Sequence, residues 1–344
     1  MNPLWQDHLL AAGAVIQDGI VAHFGNPQQA LQATGNGTIV ADLSHLGMIR
    51  FSGEDSQTFL QGQFTNDTRL ATREQAQHSA LCTPKGRMLA NFLLWQDEGG
   101  YLLQLPAALR ESVQQRLAKY VLRAKVKSQD ASEELVRLGV AGENAEALLE
   151  QAVGALPQSV LGITHHNRAS IIRLSALRFE VVLPADAAPA LWNTLAKTCP
   201  PAGSGCWEWL EIRAGIPAIL PPTQELFTPQ MANLETLGGI SFTKGCYTGQ
   251  EVVARTQYLG KVKRHLHLAH IADGSAPQPG DDVLGIGPEG EMQVAGQVVN
   301  AQTAPGGGYD LLAVITTSTV EAGSVHWKST DGPLLAFLPL PRHG

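Results

Sequence analysis

Apolar residues recur along the chain with two periods, one typical of helices and the other of strands. Segment 106–120 has the helical period, because its apolar residues lie three or four positions apart and would share one face. These residues are Leu109, Val113, Leu117 and Tyr120. The same reasoning predicts helices over 142–154 and 188–198, and over the first part of residues 1–40, followed there by a short connection.

Strand-like runs occupy much of the remaining sequence. Segment 77–105 carries three such runs separated by turn residues at 83–86 and 97–100, which predicts a three-stranded meander. Segment 168–186 reads as a further pair of strands. Helices and strands alternate without a regular βαβ repeat, so the pattern predicts the α+β fold class.

The character of the chain changes after residue 263, where short strands are separated by glycine and proline turns. Five such strands predict a small C-terminal β-barrel. We therefore predict three domains. They are an N-terminal α+β part over 1–125 that includes 206–258, a central α+β domain over 126–205, and the barrel over 259–344.

Composition narrows the class of protein. With 44% hydrophobic and 16% charged residues the chain has a globular balance, and its formal net charge of -7 argues against stable, direct binding to nucleic acid. The N-terminus lacks the pattern of a signal peptide, and no apolar run approaches the ~20 residues that span a bilayer. We therefore expect a cytoplasmic protein without a membrane partner.

Four cysteines are present, at 82, 199, 206 and 246, without a CxxC pair. Their spacing indicates neither a zinc ribbon nor a disulfide scaffold, and a reducing compartment is the simpler assumption. The run HLHLAH, residues 265–270, places His265 and His267 on one face of a strand. No acidic or cysteine ligand is in register with them, so we predict no metal site.

The stretch KGCYTGQEVVAR, residues 244–255, combines a cysteine with the start of a helix. Thr248 and Glu251 match the capping-box pattern, which predicts a helix from about residue 249. Arg255 lies four residues after Glu251, so the two side chains are expected to pair along the helix.

Cys246 would lie close to the partly positive end of this helix, with Lys244 nearby in the sequence. Such a setting lowers the pKa of a thiol and favours the thiolate. The alternative is a small buried cysteine at a tight Lys–Gly turn. Because the neighbouring residues are polar and glycine-rich, we expect an exposed thiol.

This stretch resembles the signature of the YgfZ family of folate-binding proteins, which is related to the aminomethyltransferase (T-protein) of the glycine cleavage system. Four further segments support the resemblance in the same order: FLQGQFTND (59–67), TPKGRMLANFLLW (83–95), WEWLEIRAGIP (207–217) and PQMANLETLGGISFTKGCYTGQE (229–251). The resemblance implies an aminomethyltransferase-like folate-binding fold with a central channel for tetrahydrofolate or a one-carbon derivative. It also implies a role in assembly or repair of iron–sulfur clusters and, through cluster-dependent radical enzymes, in tRNA methylthiolation.

The resemblance assigns candidate residues. Cys246, Lys244 and Arg255 are the candidates for catalysis. The remaining residues that fill the motif are Gly245, Tyr247, Gly249, Gln250 and Glu251.

Three residues stand at positions that the resemblance assigns to folate binding, and one of them, Leu46, departs from the family. Trp207 matches an aromatic residue that stacks on the pterin, and the less favoured alternative is that Trp207, Leu210 and Ala214 form a core stripe. Glu180 matches an acidic pterin contact, and Leu46 stands where a relative has a tryptophan that faces the ligand.

One departure bears on the reaction. The aminomethyltransferases carry a pair of aspartates where this chain has Leu89 and Ala90, so aminomethyl transfer by their mechanism is not expected. Whether the protein is an enzyme stays open, with a folate-dependent one-carbon transferase or demethylase as the alternative function. The family's association with tRNA and the basic stretch at 110–127 raise an RNA-binding module as a third function, which the acidic total disfavours. The basic residues Arg116, Lys119, Arg123 and Lys127 follow at near-helical spacing, and such a run is usually a solvated face.

Overall fold

The computed structural model describes residues 1–260, 262–287 and 290–341. The α-helices are α1 Pro3–Ala11, α2 Pro27–Asn36, α3 Ser56–Gln61, α4 Ala107–Val121, α5 Ala145–Val153, α6 Ala188–Leu195, α7 Ser204–Arg213, α8 Gln250–Leu259 and α9 Thr317–Ala322. None of these helices is long and apolar enough to cross a bilayer, as far as the described residues show.

The strands form largely antiparallel sheets with helices packed beside them, which is the pattern of an α+β fold. They are β1 Ala14–Gln17, β2 Ile20–Phe24, β3 Thr38–Asp42, β4 Leu46–Ser52, β5 Gln77–Cys82, β6 Met88–Asp97, β7 Gly100–Pro106, β8 Lys127–Asp130, β9 Leu135–Gly142, β10 Ile163–His166, β11 Ala169–Ser175, β12 Arg178–Pro184, β13 Pro201–Ala202, β14 Arg264–Ile271, β15 Asp282–Ile286, β16 Met292–Thr303, β17 Tyr309–Thr316, β18 Val325–Trp327 and β19 Ala336–Leu338.

The chain divides into two compact units, each made of separate segments. The first unit contains residues 1–56, 69–77 and 93–207, and the second contains residues 57–68, 78–92 and 208–344. The division into three domains made above stays a prediction.

The first unit is organised by a six-stranded sheet in the order β10-β11-β12-β9-β3-β13. Its strands are antiparallel except for β13, which runs parallel to β3. One face of this central sheet is apolar and packs against residues of α1, α5 and α6. That core includes Trp5, Val40, Leu138, Val140, Leu149, Phe179, Val181 and Trp192.

A second sheet contains β5, β6 and β7 as consecutive neighbours, which confirms the predicted meander, and continues through β4 to β8. Helix α4 lies where the apolar spacing predicted it, with Leu109, Val113 and Leu117 buried. The fourth residue of the predicted face, Tyr120, is 48% exposed near the end of the helix.

The second unit contains a six-stranded antiparallel sheet in the order β18-β15-β16-β17-β14-β19. Its apolar core includes Ile271, Val283, Val298, Leu311, Ile315 and Trp327. The predicted small barrel is therefore a curled sheet, or half-barrel, with β18 and β19 as its end strands.

The short connection expected in residues 1–40 is a hairpin of β1 and β2, which the sequence pattern did not predict. Gln17 pairs with Ile20 across a two-residue turn. Asp18 and Gly19 have φ angles of 50° and 77° in that turn. Two successive positive φ angles match the right-handed twist of the flanking strands, and Asp-Gly is a sequence that favours them.

A buried carboxylate ties the N-terminal helix to the central sheet, and we expect its hydrogen bond to contribute to stability. Trp5 Nε1 donates to Asp42 Oδ2 at 2.7 Å, and Asp42 is buried. Hydrogen bonds to charged groups contribute about 1.5–3 kcal/mol. Trp5→Phe is therefore expected to lower the free energy of unfolding by at least about 1.5 kcal/mol in urea.

Asp42→Asn completes a double-mutant cycle for this contact. If the bond carries the effect, the double variant loses clearly less than the two single variants together. Additive losses would assign the effect of Trp5→Phe to packing alone.

Candidate functional site

The face of the central sheet opposite its apolar core carries charged side chains. Glu180 pairs with Gly139, Arg137 with Val182, and Arg178 with Ala141 in the register of β9 and β12. Directly opposed residues of an antiparallel pair project from the same face, and so do residues two positions apart in one strand. Arg137, Glu180 and Arg178 therefore point to the same side, and all three are buried.

Two side chains link this charged face to the second sheet within the first unit. Gln104 Nε2, on β7, donates to Glu180 Oε2 at 2.9 Å. Arg137 reaches from β9 to β4, where its Nη2 donates to the Leu46 carbonyl oxygen at 2.7 Å. Leu46, which was assigned to the folate site, therefore contributes a backbone contact to the charged face.

The guanidinium of Arg137 is held among acidic groups. Burial lowers its pKa below the ordinary value, while the charges of Asp42, Glu180 and Asp130 act in the opposite direction. A buried cation is retained where nearby anions compensate its lost hydration. On the charged face, the Glu180 carboxylate therefore has both the Arg137 cation and the Gln104 amide close by.

Trp207, on α7, covers the centre of the same face. A Cβ atom added to Gly139 would lie 2.4 Å from Cζ3 of the Trp207 ring, so the ring rests directly on the glycine. The Arg178 guanidinium carbon lies 5.7 Å from the ring centroid. The side chain is 1% exposed, so the protein itself encloses the ring, and stacking of Trp207 on a ligand stays a prediction.

The first unit therefore brings together the three residues assigned to folate. Glu180 and Trp207 meet around Gly139, and Leu46 is joined to them through Arg137. Sequence reasoning missed Arg137 and Gln104. Each interrupts an apolar strand, in LVRLGV and YLLQLP, and a polar residue inside such a run signals a buried contact.

The cysteine motif lies in the second unit. Helix α8 begins at Gln250, close to the predicted start, and Arg255 Nη2 lies 3.2 Å from Glu251 Oε1, which confirms the predicted pair. Both side chains are largely exposed, so the pair contributes little to stability.

The predicted capping box of Thr248 and Glu251 is wrong. The N-cap residue is Gly249, which has a φ of 86° and no side-chain cap. A Cβ atom at Gly249 would lie 2.4 Å from the Thr83 carbonyl oxygen, so the backbone of this glycine packs directly on the turn at 83–86. Close approach to a neighbouring turn, and not a side-chain cap, fixes the start of the helix.

Lys244 is buried and makes several polar contacts inside the protein. Its side chain is 5% exposed, and Nζ donates to the carbonyl oxygens of Phe64 at 2.6 Å and Asn66 at 2.7 Å. The ammonium group also lies 5.1 Å from the centroid of the Tyr247 ring. Lys244 therefore ties the motif to segment 59–67, and we expect a structural role for this candidate catalytic residue.

Cys246 is exposed, whereas Cys82, Cys199 and Cys206 are buried. The expectation of an accessible motif thiol is thus confirmed. Burial raises the pKa of the Cys82 thiol to about 12. Burial, and to a smaller extent the charge of Cys82, raises the pKa of Tyr247. Cys246 therefore remains the candidate nucleophile of the motif.

The histidines of 265–270 have separate environments. His270 Nδ1 lies 2.8 Å from Asp310 Oδ1, and His267 packs against the ring of Phe337. Burial, and then the charge of His265, lowers the pKa of His267. Within the described parts of the chain, no three His, Cys, Asp or Glu side chains are grouped to hold a metal ion.

Comparison with known proteins defines the class first. The structure is similar to glycine cleavage system aminomethyltransferase T from Bartonella henselae, with a TM-score of 0.78 over 100% of this chain and 98% of that chain. The sequences are 16% identical, so this match shows the fold, which is that of the aminomethyltransferases. The model of the GCVT N-terminal domain family matches residues 22–240.

Two curated relatives make the assignment more specific. The tRNA-modifying protein YgfZ of Colwellia psychrerythraea is 35% identical over 72% of this chain and 76% of its own length. The tRNA-modifying protein YgfZ of Klebsiella pneumoniae is 33% identical over 87% of this chain and 91% of its own length. The chain belongs to the YgfZ family.

We expect Lys244→Met to destabilise the second unit. The substitution keeps an unbranched apolar stem but leaves the carbonyl groups of Phe64 and Asn66 without the ammonium donor. Each buried polar group left unsatisfied costs about 1–3 kcal/mol, so the expected loss for the two carbonyl groups is about 2–6 kcal/mol in urea unfolding. Lys85→Met, at an exposed position of the turn at 83–86, is the control and should unfold like the wild type. Wild-type stability of Lys244→Met would refute the structural role.

Proposed function

We propose that the protein binds tetrahydrofolate, or a one-carbon derivative of it, on the charged face of the first unit. The observation that carries this proposal is the buried carboxylate of Glu180, held by Gln104 on a face that also contains Arg137 and Trp207. A carboxylate can accept two parallel N–H bonds from a flat heterocycle. The aminomethyltransferase fold supports the same location.

The residues of this face fit the ring of a reduced folate in their chemistry. Glu180 would accept from the N–H groups of the pterin, and Arg137 would offset the charge of the carboxylate. The buried ring of Trp207, which lies over Gly139, would pack beside the bound pterin as part of the wall of the site. A ligand that stacks on Trp207 itself would require the outer face of the ring to be uncovered.

We further propose that Cys246 acts in the assembly or repair of iron–sulfur clusters. The thiol is exposed, and the neighbouring Gly245 has open space around it. An iron–sulfur cluster needs four ligands, so one cysteine can only share a cluster or act transiently as a thiolate. The partners would therefore be iron–sulfur proteins or radical cluster enzymes that bind the motif transiently.

The link to tRNA would then be indirect. Both relatives are named tRNA-modifying proteins, and cluster-dependent enzymes would carry out the methylthiolation. The net charge of -7 supports an indirect link over stable binding of the nucleic acid itself. A cytoplasmic location stays a prediction from the sequence.

The alternative is a folate-dependent transferase or demethylase with its own turnover. Leu89 and Ala90, at the place of the aspartates in the aminomethyltransferases, are both buried in β6. No carboxylate comes from these two positions, which favours a folate-binding accessory protein over that mechanism. Product formation from amine or methyl donors by the purified protein would support the alternative.

Glu180→Gln is expected to weaken tetrahydrofolate binding by about tenfold or more, because a hydrogen bond to a charged acceptor contributes about 1.5–3 kcal/mol. The measurement is anaerobic calorimetric titration of wild type and variant. Glu150→Gln, on the exposed surface of α5, is the matched control and should bind like the wild type. If wild type binds saturably and Glu180→Gln binds with the same affinity, tetrahydrofolate binds at a site that does not include Glu180.

Cys246→Ser is expected to abolish function in cells without affecting folding, because the side chain is exposed. The variant would be expressed in a strain that lacks the endogenous protein, and methylthiolated nucleosides in its tRNA would be measured by mass spectrometry. We expect the level of the deletion strain, together with a wild-type unfolding curve for the purified variant. Thr243→Ala, at another exposed position beside the motif, is the control. Full methylthiolation with Cys246→Ser would exclude a role for the thiol.

A further inference from the structure

Two polar atoms beside Glu180 lack hydrogen-bond partners within the described residues. They are Oε1 of Gln104 and Nε of Arg137, and both atoms are buried. The side chains as a whole are 6% and 5% exposed. Buried polar groups in native proteins are almost always paired, so two such atoms beside a buried carboxylate indicate an additional ligand.

Gln104 and Arg137 each use their other polar atoms in hydrogen bonds within the protein, and these bonds decide whether the remaining atom can donate or accept. Gln104 uses its Nε2 to donate to Glu180, so its other amide atom, Oε1, can only accept. Arg137 uses Nη1 and Nη2 to donate to the carbonyl oxygens of Leu135 and Leu46, which leaves Nε as a donor. Both side chains cross between the central sheet and the strands β7 and β4, one toward Glu180 and the other toward Leu46.

We propose that Gln104 and Arg137 are specificity-determining residues that select a ring with a 2-amino-4-oxopyrimidine edge. This inference rests on the proposed folate function and deepens it. Such an edge offers two kinds of donor, the 2-amino group and the ring N–H, and one acceptor, the 4-oxo oxygen. The Glu180 carboxylate and Gln104 Oε1 supply acceptors for the donors, and Arg137 Nε supplies a donor for the oxygen.

The arrangement also disfavours a related ring. When an amino group replaces the 4-oxo oxygen, the ring presents N–H where Arg137 Nε requires an acceptor. A buried donor would then face a donor and remain without a partner. A loss of at least about tenfold in affinity follows, because an unsatisfied buried donor on a charged group costs more than one on a neutral group.

The test compares two ligands and three forms of the full-length protein. Tetrahydrofolate and its 4-amino analogue, tetrahydroaminopterin, are titrated into wild type, Gln104→Leu and the control Gln96→Leu. Gln96 donates to the Ala71 carbonyl oxygen, so the control also removes a glutamine hydrogen bond from a strand of the same sheet. Unfolding curves of both variants accompany the titrations.

We expect wild type and Gln96→Leu to prefer tetrahydrofolate by at least about tenfold, and Gln104→Leu to bind it at least about tenfold more weakly. Equal affinity of wild type for the two ligands would overturn the role of Arg137. Wild-type affinity in Gln104→Leu would overturn the role of Gln104. If Gln104→Leu does not fold, the ligand preference of wild type still decides. Failure of wild type to bind either ligand is a different result, which would overturn the proposed folate function itself.

Discussion

A charged group that leaves water must be given hydrogen-bonding partners inside the protein, and this constraint shapes both units. In the first unit the buried carboxylate of Glu180 requires Gln104, from a strand of the other sheet. In the second unit the buried ammonium of Lys244 requires the carbonyl groups of Phe64 and Asn66. Each charge therefore fixes the relative positions of segments that are far apart in the sequence.

Glycines make these arrangements possible where two groups approach closely. Gly139 accommodates the Trp207 ring on the charged face of the central sheet, and any side chain there would collide with it. Gly249 combines a left-handed backbone with close approach to the Thr83 carbonyl oxygen, so both its conformation and its missing side chain are used. The absence of a side chain at Gly139 and Gly249 therefore allows the Trp207 ring and helix α8 to lie where they do.

Local patterns predicted local structure well. The spacing of Leu109, Val113 and Leu117 predicted α4, because helical periodicity is a property of neighbouring residues. The Asp18-Gly19 pair is an equally local signal, because Asp-Gly favours the two-residue turn that joins β1 and β2. The bond between Gln104 and Glu180 joins residues 76 positions apart, and no period in the sequence could reveal it. The capping box failed for a related reason, since packing of Gly249 on a distant turn replaced the cap that its neighbours predicted.

The same contrast changes how the cysteine motif is understood. A motif that includes Lys, Cys and Tyr invites the view that all three take part in chemistry. In the structure Lys244 already donates to two carbonyl groups, and Tyr247 is buried with a raised pKa, so both belong to the framework of the motif. Only the Cys246 thiol of these three is exposed. In the proposed function one thiol cannot complete the ligands of a cluster, so the other ligands would come from a partner. The buried side chains of Lys244 and Tyr247 would then hold the motif in place while Cys246 stays exposed.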